Sequence, residues 1–225
     1  MRVLDLFSGL GGWSAAFSER GHEVVTVDID YRFRPAFCRD IAQLRGVDSL
    51  GGPFDVILAS PPCEQFSLAA AHYHRIVKGK PQTSAAARAV ALMQHTFDLI
   101  AAANPRFWAV ENPVGFARQV FPDVAATIDQ CTYGREFKKP TDLWGGLPPR
   151  FEARRCRDKS NHSHTVKKPN GFPARGSVMN MWINDTRRAA SLRAELPHGL
   201  SLEMCLACER DLTSQRIGQE VERNE

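Results

Sequence analysis

The sequence predicts an α/β protein with a doubly wound, mostly parallel sheet, and two observations lead to that prediction. Short, apolar, β-branched runs alternate with helix-like segments over the first 145 residues. Such alternation is typical of βαβ units, in which helices cover both faces of a buried parallel sheet. The chain of 225 residues, 43% of them hydrophobic and 24% charged, also has the size and composition of one globular domain with a small addition.

The predicted elements follow one another in the order that this fold requires. The strands are residues 2–7, 23–29, 54–60 and 106–112, and the helices between them are residues 11–21, 34–44 and 83–104. The third helix is well delimited, because Thr83 or Ser84 can cap its start and Asn104-Pro105 can stop it. We therefore assign residues 1–145 to one main domain, to which residues 186–225 return.

The character of the sequence changes in residues 146–185, which we expect to form a small irregular insert. Much of this range is rich in Arg, Lys, His, Asn and Pro, with little apolar periodicity. A solvated surface loop is one interpretation, and a loop that follows nucleic-acid phosphates is the other. The candidate phosphate contacts are Arg154, Arg155, Arg157, Lys167, Lys168 and Arg175. After the insert, residues 185–212 predict a helix, a break at Pro197 and a second helix.

Composition argues against several classes of protein. No apolar run reaches the roughly eighteen residues of a membrane-spanning helix, and the amino terminus lacks a signal-peptide pattern. Six cysteines over this length do not suggest a disulfide framework, which favours a reducing, cytoplasmic setting. The formal net charge of +4 fits a nucleic-acid partner but does not establish one.

Four distinctive stretches lie at the carboxyl ends of predicted strands, where sheets of this kind bind ligands. They are FSGLGG (7–12), DID (28–30), SPPC (60–63) and ENP (111–113). A glycine turn lets a ligand approach the backbone, and a carboxylate further along can accept hydrogen bonds from ribose hydroxyls. Because the turn lacks the G-x-G-x-x-G spacing, these stretches predict a nucleoside-type cofactor rather than bound pyrophosphate.

Cys63 stands on a turn after two prolines, between a buried strand and an expected helix. Amide dipoles at a helix start can lower a thiol pKa, which would make Cys63 a nucleophile. A packed, inert cysteine is the alternative, since free cysteine is among the most buried residue types. These residues alone leave both interpretations open.

Taken together, the four stretches resemble the DNA (cytosine-5) methyltransferases, and the compact length is most similar to bacteriophage-encoded members. The matching motifs are DLFSGLGG (5–12), VDID (27–30), DVILASPPCEQFS (55–67) and VENPVG (110–115), in the family's order and spacing. The resemblance implies the Rossmann-like fold of S-adenosyl-L-methionine-dependent methyltransferases. It also implies methylation of cytosine C5 in double-stranded DNA, as in restriction-modification, by a monomer in a bacterial or infected bacterial cell.

The resemblance assigns cofactor contacts position by position. They are Phe7, Ser8, Gly9, Leu10, Gly11, Asp28, Ile29, Asp40 and Pro61. Asp28 would take the ribose hydroxyls of S-adenosyl-L-methionine, and Ile29 would lie against its adenine. Asp40 would receive the adenine amino group, although a surface charge on the predicted helix is the alternative for this residue.

The resemblance also assigns the catalytic and substrate-binding residues. Cys63 would attack C6 of cytosine, and Glu111 would bond to or protonate N3. Pro62, Ser67, Asn112 and Lys139 would contact the substrate, whose target base must leave the duplex stack. Residues 64–82 match the family's mobile loop, in which His72, His74, Arg75, Lys78 and Lys80 would approach phosphates unless the loop is merely solvated.

Several positions depart from the family pattern. Glu64 replaces a glutamine, Pro113 replaces a valine, and FKKPT (137–141) replaces a Gln-x-Arg-x-Arg motif, so that Lys139 stands where an arginine would. Lysine is a point charge and cannot reproduce a bidentate fork. The segment between residues 40 and 55 is short, so one strand should be abbreviated or missing. The carboxyl-terminal motif is recognisable at most as SQRIGQE (214–220).

Other functions stay open at this point. Methylation of RNA cytosine and a catalytically decayed binding protein are both compatible with the motifs. The thymidylate synthases also use a Pro-Cys nucleophile, but they follow it with histidine where this chain has Glu64. A structural zinc held by Cys156, His162 or His164, Cys205 and Cys208 is a further possibility, since CLAC has C-x-x-C spacing; the alternative is that Cys205 and Cys208 are core residues of a helix.

Overall fold

The computed structural model describes residues 1–68, 75–135, 138–157 and 195–223, and it confirms the α/β prediction. The strands are β1 (Arg2–Leu6), β2 (Glu23–Asp28), β3 (Phe37–Cys38), β4 (Val56–Ala59), β5 (Ile76–Val77), β6 (Lys80–Pro81), β7 (Phe107–Pro113), β8 (Ala126–Asp129) and β9 (Pro140–Trp144). Seven of them form one sheet in the order β3-β2-β1-β4-β7-β9-β8, and β5 pairs with β6 in a separate hairpin. Within the sheet, β9 runs antiparallel to both β7 and β8, and the other pairs are parallel.

The described helices are α1 (Ala15–Glu19), α2 (Ser84–Ala103), α3 (Ala117–Val120) and α4 (His198–Arg223). The prediction for α2 is confirmed at both ends. Thr83 Oγ1 accepts a hydrogen bond from Ala86 N at 3.1 Å, and Asn104 ends the helix in the left-handed conformation. The first helix is shorter than predicted, because the glycine turn continues to Ser14 before α1 begins.

The predicted helix over residues 34–44 is wrong. Arg34 has a left-handed φ of 53° and precedes Pro35, a position where α-helical backbone is disfavoured. The chain then pairs as β3 beside β2, in a strand of only two residues, and turns through a 3₁₀ helix at Ile41–Gln43. Between residues 40 and 55 the structure has 3₁₀ helices at Ile41–Gln43 and Asp48–Leu50 and no strand, which agrees with the expectation that a strand there is abbreviated or missing.

The sheet separates two hydrophobic clusters because successive side chains on a strand point to opposite faces. Leu4 and Leu6 of β1 belong to the cluster that α2 covers, whereas Val3 belongs to the cluster that α1 and α4 cover. Ile57 and Leu58 of β4 divide in the same way. Both faces of the sheet are thus buried, which explains why the parallel strands are continuous apolar runs in the sequence.

The helix α4 returns to the beginning of the chain and packs against α1. Ser201 Oγ donates to Trp13 O at 2.6 Å and accepts from Ala16 N at 3.1 Å. The predicted break at Pro197 is confirmed, since α4 begins at the next residue, whereas residues 185–194 of the predicted preceding helix lie outside the described residues. Among the described helices, none is long and apolar enough to cross a membrane.

Candidate active site

A cleft of about 260 Å³ lies at the carboxyl ends of β1, β2, β4 and β7. It brings together most of the residues that the sequence nominated. Those that line it are Phe7, Ser8, Gly9, Leu10, Asp28, Ile29, Pro61, Pro62, Cys63, Glu111 and Lys139. Parallel strands place their carboxyl ends on one edge of a sheet, so residues far apart in sequence meet here.

The glycine turn forms one wall of the cleft. Gly9 and Gly11 have φ values of 50° and 77°, and a Cβ added to either would meet no atom within 4 Å. Phe7 also has a positive φ, of 59°, which is unusual for a bulky residue and typical of a constrained functional turn. The turn is therefore open towards a ligand, and its backbone conformation favours glycine.

Asp28 is fixed against this turn by two backbone amides. Its Oδ2 accepts from Gly9 N at 2.8 Å and its Oδ1 from Asp30 N at 2.8 Å. Each carboxylate oxygen keeps a lone pair for a further donor. Nearby, Leu10 and Ile29 expose 57% and 68% of their surface. The cleft therefore offers a hydrogen-bond acceptor in Asp28 and exposed apolar surface in these two residues. This combination fits a nucleoside.

Four of the residues that the sequence predicts for the site do not line the cleft. Asn112 Nδ2 donates to Pro61 O at 3.1 Å and so ties the proline turn to β7, while Ser67 forms an isolated bridge with Gly115. Gly11 closes the glycine turn by donating from its N to Ser8 O at 2.7 Å. Asp40 caps the 3₁₀ turn through Ala42 N at 3.0 Å, and its contact with adenine stays a prediction.

Cys63 lies in a turn rather than at the start of a helix. Phe66 N and Ser67 N both donate to Cys63 O at 3.0 Å, and no α-helix begins within residues 61–68. The expected help from a helix dipole is therefore wrong. Burial and the nearby Glu111 carboxylate raise the pKa of the Cys63 thiol to about 11, while the Lys139 ammonium opposes that shift. In the absence of ligands the sulfur is a thiol.

Glu111 is buried on β7 among groups that can polarise it. Lys139 Nζ lies 3.9 Å from its Oε1, and Gln130 Nε2 donates to the same oxygen at 3.4 Å. Burial raises the pKa of Glu111, with the charges of Lys139 and Arg135 acting in the opposite direction. A raised pKa favours the acid form of the carboxyl group, which can donate a proton.

Sequence reasoning missed the residues that support Glu111 from β9 and from the segment between β8 and β9. Gln130 Nε2 also donates to Thr141 Oγ1 at 3.0 Å, and Arg135 Nη1 donates to Gln130 Oε1 at 3.0 Å and to Glu195 O. The sequence signal there is weak, because in PTDLW (140–144) two polar residues precede two apolar ones instead of alternating with them. A strand with this pattern can be recognised only when the strands that pair with it are known.

The loop after Cys63 is described only in part. Arg75 Nη1 donates to Glu64 O at 2.7 Å, which joins the β5–β6 hairpin to the turn that carries the cysteine. Lys78 and Lys80 belong to the same hairpin. His72 and His74 lie outside the described residues.

Among the described residues, the predicted zinc ligands Cys156, Cys205 and Cys208 do not form a group of three. Cys205 and Cys208 are buried in the cluster between α4 and the sheet, and His162 and His164 lie outside the described residues. Within the described ranges, the group of three candidate ligands whose atoms lie within 4.8 Å is His22, Cys205 and Glu209, and it includes neither Cys156 nor Cys208. Arg20 already pairs with both oxygens of Glu209, at 2.9 and 2.7 Å, which disfavours a cation there.

The described beginning of the insert is bound to the main domain. Arg154 pairs with Glu203 of α4, and Arg155 Nε donates to the buried Asp129 at 2.9 Å. These two arginines therefore tie the described start of the insert to the main domain, and their contact with phosphates stays a prediction. Lys167, Lys168 and Arg175 lie outside the described residues.

The comparisons with known proteins agree with this geometry. Residues 1–138 match the family model described as C-5 cytosine-specific DNA methylase. A Frog virus 3 (isolate Goorha) protein named "Probable DNA (cytosine-5)-methyltransferase" is 29% identical over 180 residues, which are 75% of this chain and 81% of that protein.

Solved structures give a weaker likeness. A Spodoptera frugiperda DNMT2 mutant is 20% identical, with a TM-score of 0.43 over 73% of this chain and 56% of the other. The Entamoeba histolytica methyltransferase EhMeth is 12% identical, with a TM-score of 0.46 over 75% and 57% of the two chains. The chain thus spans just over half the length of these two proteins.

Proposed function

Because the chain belongs to the C-5 cytosine-specific DNA methylase family, we propose that it methylates carbon 5 of cytosine in double-stranded DNA with S-adenosyl-L-methionine as the methyl donor. The observation that carries the proposal is that one cleft is lined by Cys63, Glu111 and Lys139 as well as by the glycine turn and Asp28. One cleft thus combines a candidate nucleophile and a candidate acid with a nucleoside site. This arrangement suits transfer of a methyl group from a cofactor to a nucleic-acid base.

The residues of the cleft fit the cofactor. Asp28 has lone pairs left for the ribose hydroxyls, and Leu10 and Ile29 provide apolar surface for the adenine. The open glycine turn lets the backbone approach the ligand closely. When bound, S-adenosyl-L-methionine supplies an electrophilic methyl group.

Cys63 and Glu111 would prepare the cytosine ring, whose C5 is a poor nucleophile. The Cys63 thiol loses its proton to water, and the sulfur electron pair then forms a bond to C6. The electrons displaced from the C5–C6 double bond move towards N3, where Glu111 donates its proton. Lys139 favours the thiolate because its positive charge opposes the effects that raise the thiol pKa.

The adduct makes C5 nucleophilic, so that this carbon can take the methyl group. Loss of the C5 proton to solvent then restores the double bond as the C6–sulfur bond breaks, and the N3 proton returns to Glu111. The Pro61–Asn112 hydrogen bond holds the turn with the nucleophile at a fixed place on the sheet. The target nucleotide must swing out of the duplex to reach this buried sulfur.

Incubation with tritiated S-adenosyl-L-methionine and duplex DNA, RNA or free dCTP tests the proposal. We expect label in duplex DNA with the wild type and none with Cys63→Ala, and we expect wild-type activity from Cys38→Ala, a control on the exposed edge of the sheet. Glu111→Gln should lose about 10²–10⁴-fold in turnover because it lacks the proton donor. Duplex DNA with 5-fluorocytosine should trap the wild type, since the final loss of a C5 proton is blocked.

The substrate comparison separates this proposal from its alternatives. Label in RNA alone would make the protein an RNA methyltransferase, and unchanged turnover by Cys63→Ala would remove the covalent mechanism.

A further inference from the structure

Cys131 and Cys156 are far apart in the sequence but lie side by side in the structure. Cys131 belongs to the 3₁₀ helix Gln130–Tyr133 that follows β8, and Cys156 belongs to the described start of the insert. Their thiol groups are close enough to form a hydrogen bond with each other. Neither residue lines the cleft, so the proposed reaction does not use this pair of thiols.

Hydrogen bonds around Asp129 hold the two segments together. Asp129 N donates to Arg154 O at 3.0 Å, and Cys156 N donates to Asp129 Oδ2 at 2.9 Å. Thr132 Oγ1 donates to Asp129 O at 2.7 Å, and Arg154 N donates to Tyr133 Oη at 2.9 Å. Asp129 itself is fully buried. The backbone that carries the two thiols is therefore fixed on both sides of their contact.

Both thiols are half-buried, so a small reagent can reach them. Burial and the neighbouring Cys156 thiol raise the pKa of Cys131. Because the attacking species in disulfide exchange is a thiolate, the reaction should be slow near neutral pH and take hours rather than seconds. A reducing cell keeps such a pair as thiols, and disulfides that do form there usually respond to oxidants.

We propose that Cys131 and Cys156 are a site of oxidative modification, at which a small disulfide such as oxidised glutathione converts the two thiols into one internal disulfide. One cysteine thiolate attacks a sulfur of oxidised glutathione, and the first glutathione leaves. The other cysteine thiolate attacks the mixed disulfide, and the second glutathione leaves. The two thiols lose two protons and two electrons, and the oxidised glutathione takes up both to become two molecules of reduced glutathione.

The disulfide would join the start of the insert covalently to the segment that supports Glu111. Gln130, directly before Cys131, donates from Nε2 to Glu111 Oε1 at 3.4 Å. The link would also close a loop over residues 132–155, which restricts the unfolded chain and so stabilises the folded one. This inference rests on the contact between the two thiols and does not depend on the proposed function.

Oxidation of the full chain tests the proposal without any variant. The reduced protein is incubated with oxidised glutathione at about pH 8.5, where more of each thiol is ionised. The remaining thiols are then blocked with N-ethylmaleimide, and the digested protein is analysed by mass spectrometry. We expect two peptides joined through Cys131 and Cys156, which dithiothreitol should separate again.

Single variants assign the link and its effect on stability. Cys131→Ser and Cys156→Ser should each abolish the linked peptide, whereas Cys38→Ser, which removes an exposed cysteine elsewhere, should link as the wild type does. The oxidised wild type should melt several degrees higher than the reduced protein. This rise should be retained in Cys38→Ser and absent from the other two variants.

Several results would overturn the proposal. Cys131 and Cys156 would not form a modification site if both stayed as thiols, or if each ended as a mixed disulfide with glutathione. A link between other cysteines, such as Cys205 and Cys208, would overturn the assignment in the same way. A linked protein that melts no higher than the reduced one would overturn the stabilising effect.

Discussion

At the scale of single residues, the charge of Lys139 favours the reactive thiolate form of Cys63. The Lys139 ammonium lowers the pKa of the Cys63 thiol, against burial and the Glu111 carboxylate. Lys139→Gln should therefore slow alkylation of Cys63 by iodoacetamide at pH 8.5, because each pKa unit changes the thiolate fraction about tenfold. Mass spectrometry of the Cys63 peptide measures the rate, and Lys138→Gln is the neighbouring control. Equal rates for the two variants would contradict the role of Lys139.

Asp5 offers a second prediction at this scale, concerning stability. Burial and the charge of Asp28 raise the pKa of Asp5 to about 7. The folded protein therefore favours the protonated carboxyl, and the stability that this preference contributes is fully present below the unfolded pKa near 4. That contribution is lost as the pH rises through about 7. The other charged groups that line the cleft include Glu111, Lys139 and Glu195.

Asp5→Asn removes this ionisation. The variant should be more stable than the wild type at pH 8, by roughly 4 kcal/mol at most, and equal to it near pH 4. Urea unfolding at the two pH values measures the difference. A variant that is equally destabilised at both would show that Asp5 serves packing alone.

At the scale of elements, the segment between β8 and β9 connects Glu111, the proposed acid, with the segment before α4. Arg135 joins Gln130 to Glu195 O, and its charge lowers the pKa of Glu111. Arg135→Gln should therefore raise the pKa of Glu111, so that the alkaline limb of the kcat–pH profile shifts to higher pH. We also expect kcat to fall severalfold, with little change in KM for DNA.

The pH profile makes this prediction specific to Glu111, the proposed acid. A merely structural role for Arg135 would lower kcat without moving the alkaline limb. Arg106→Gln is a suitable control, because Arg106 pairs with Asp211 on α4 and does not line the cleft.

The same elements show where sequence reasoning succeeds. The four apolar runs became β1, β2, β4 and β7, and α2 ends where its caps predict, because burial on both sheet faces and capping are local signals. The helix over 34–44 failed because pairing with β2 outweighed the local helical pattern.

The candidate site divides in the same way. Cys63, Glu111 and Asp28 were found because short motifs carry them. Gln130 and Arg135 were missed because their roles depend on contacts across the β8–β9 pair and with residue 195, which no local pattern records.

At the scale of the whole molecule, the small insert that the sequence predicts over residues 146–185 would limit how the protein reads DNA. Arg154 pairs with Glu203 and Arg155 with Asp129, so both tie the described start of this segment to the main domain. Each bidentate base contact gives about 1–3 kcal/mol of discrimination, and few can be fixed on so short a segment. We expect a target of two or three defined bases, and binding that weakens steeply with salt.

Bisulfite sequencing of a plasmid from cells that express the protein measures the target. Methylation restricted to a single site of four or more fixed bases would contradict the prediction. Binding that is insensitive to salt would equally contradict the role given to phosphate contacts.

The packing of Ser201 and Leu196 against Trp13 and Gly12 has a consequence for the order of events in the cell. The ribosome makes the glycine turn before the backbone that closes it, which follows almost two hundred residues later in the sequence. The nascent chain can pair β1 with β2 early, yet the cleft stays incomplete until residue 201 has emerged. The cleft should therefore gain affinity for a ligand only after residue 201 has been made, and a ribosome stalled before that residue would carry paired strands beside an incomplete cleft.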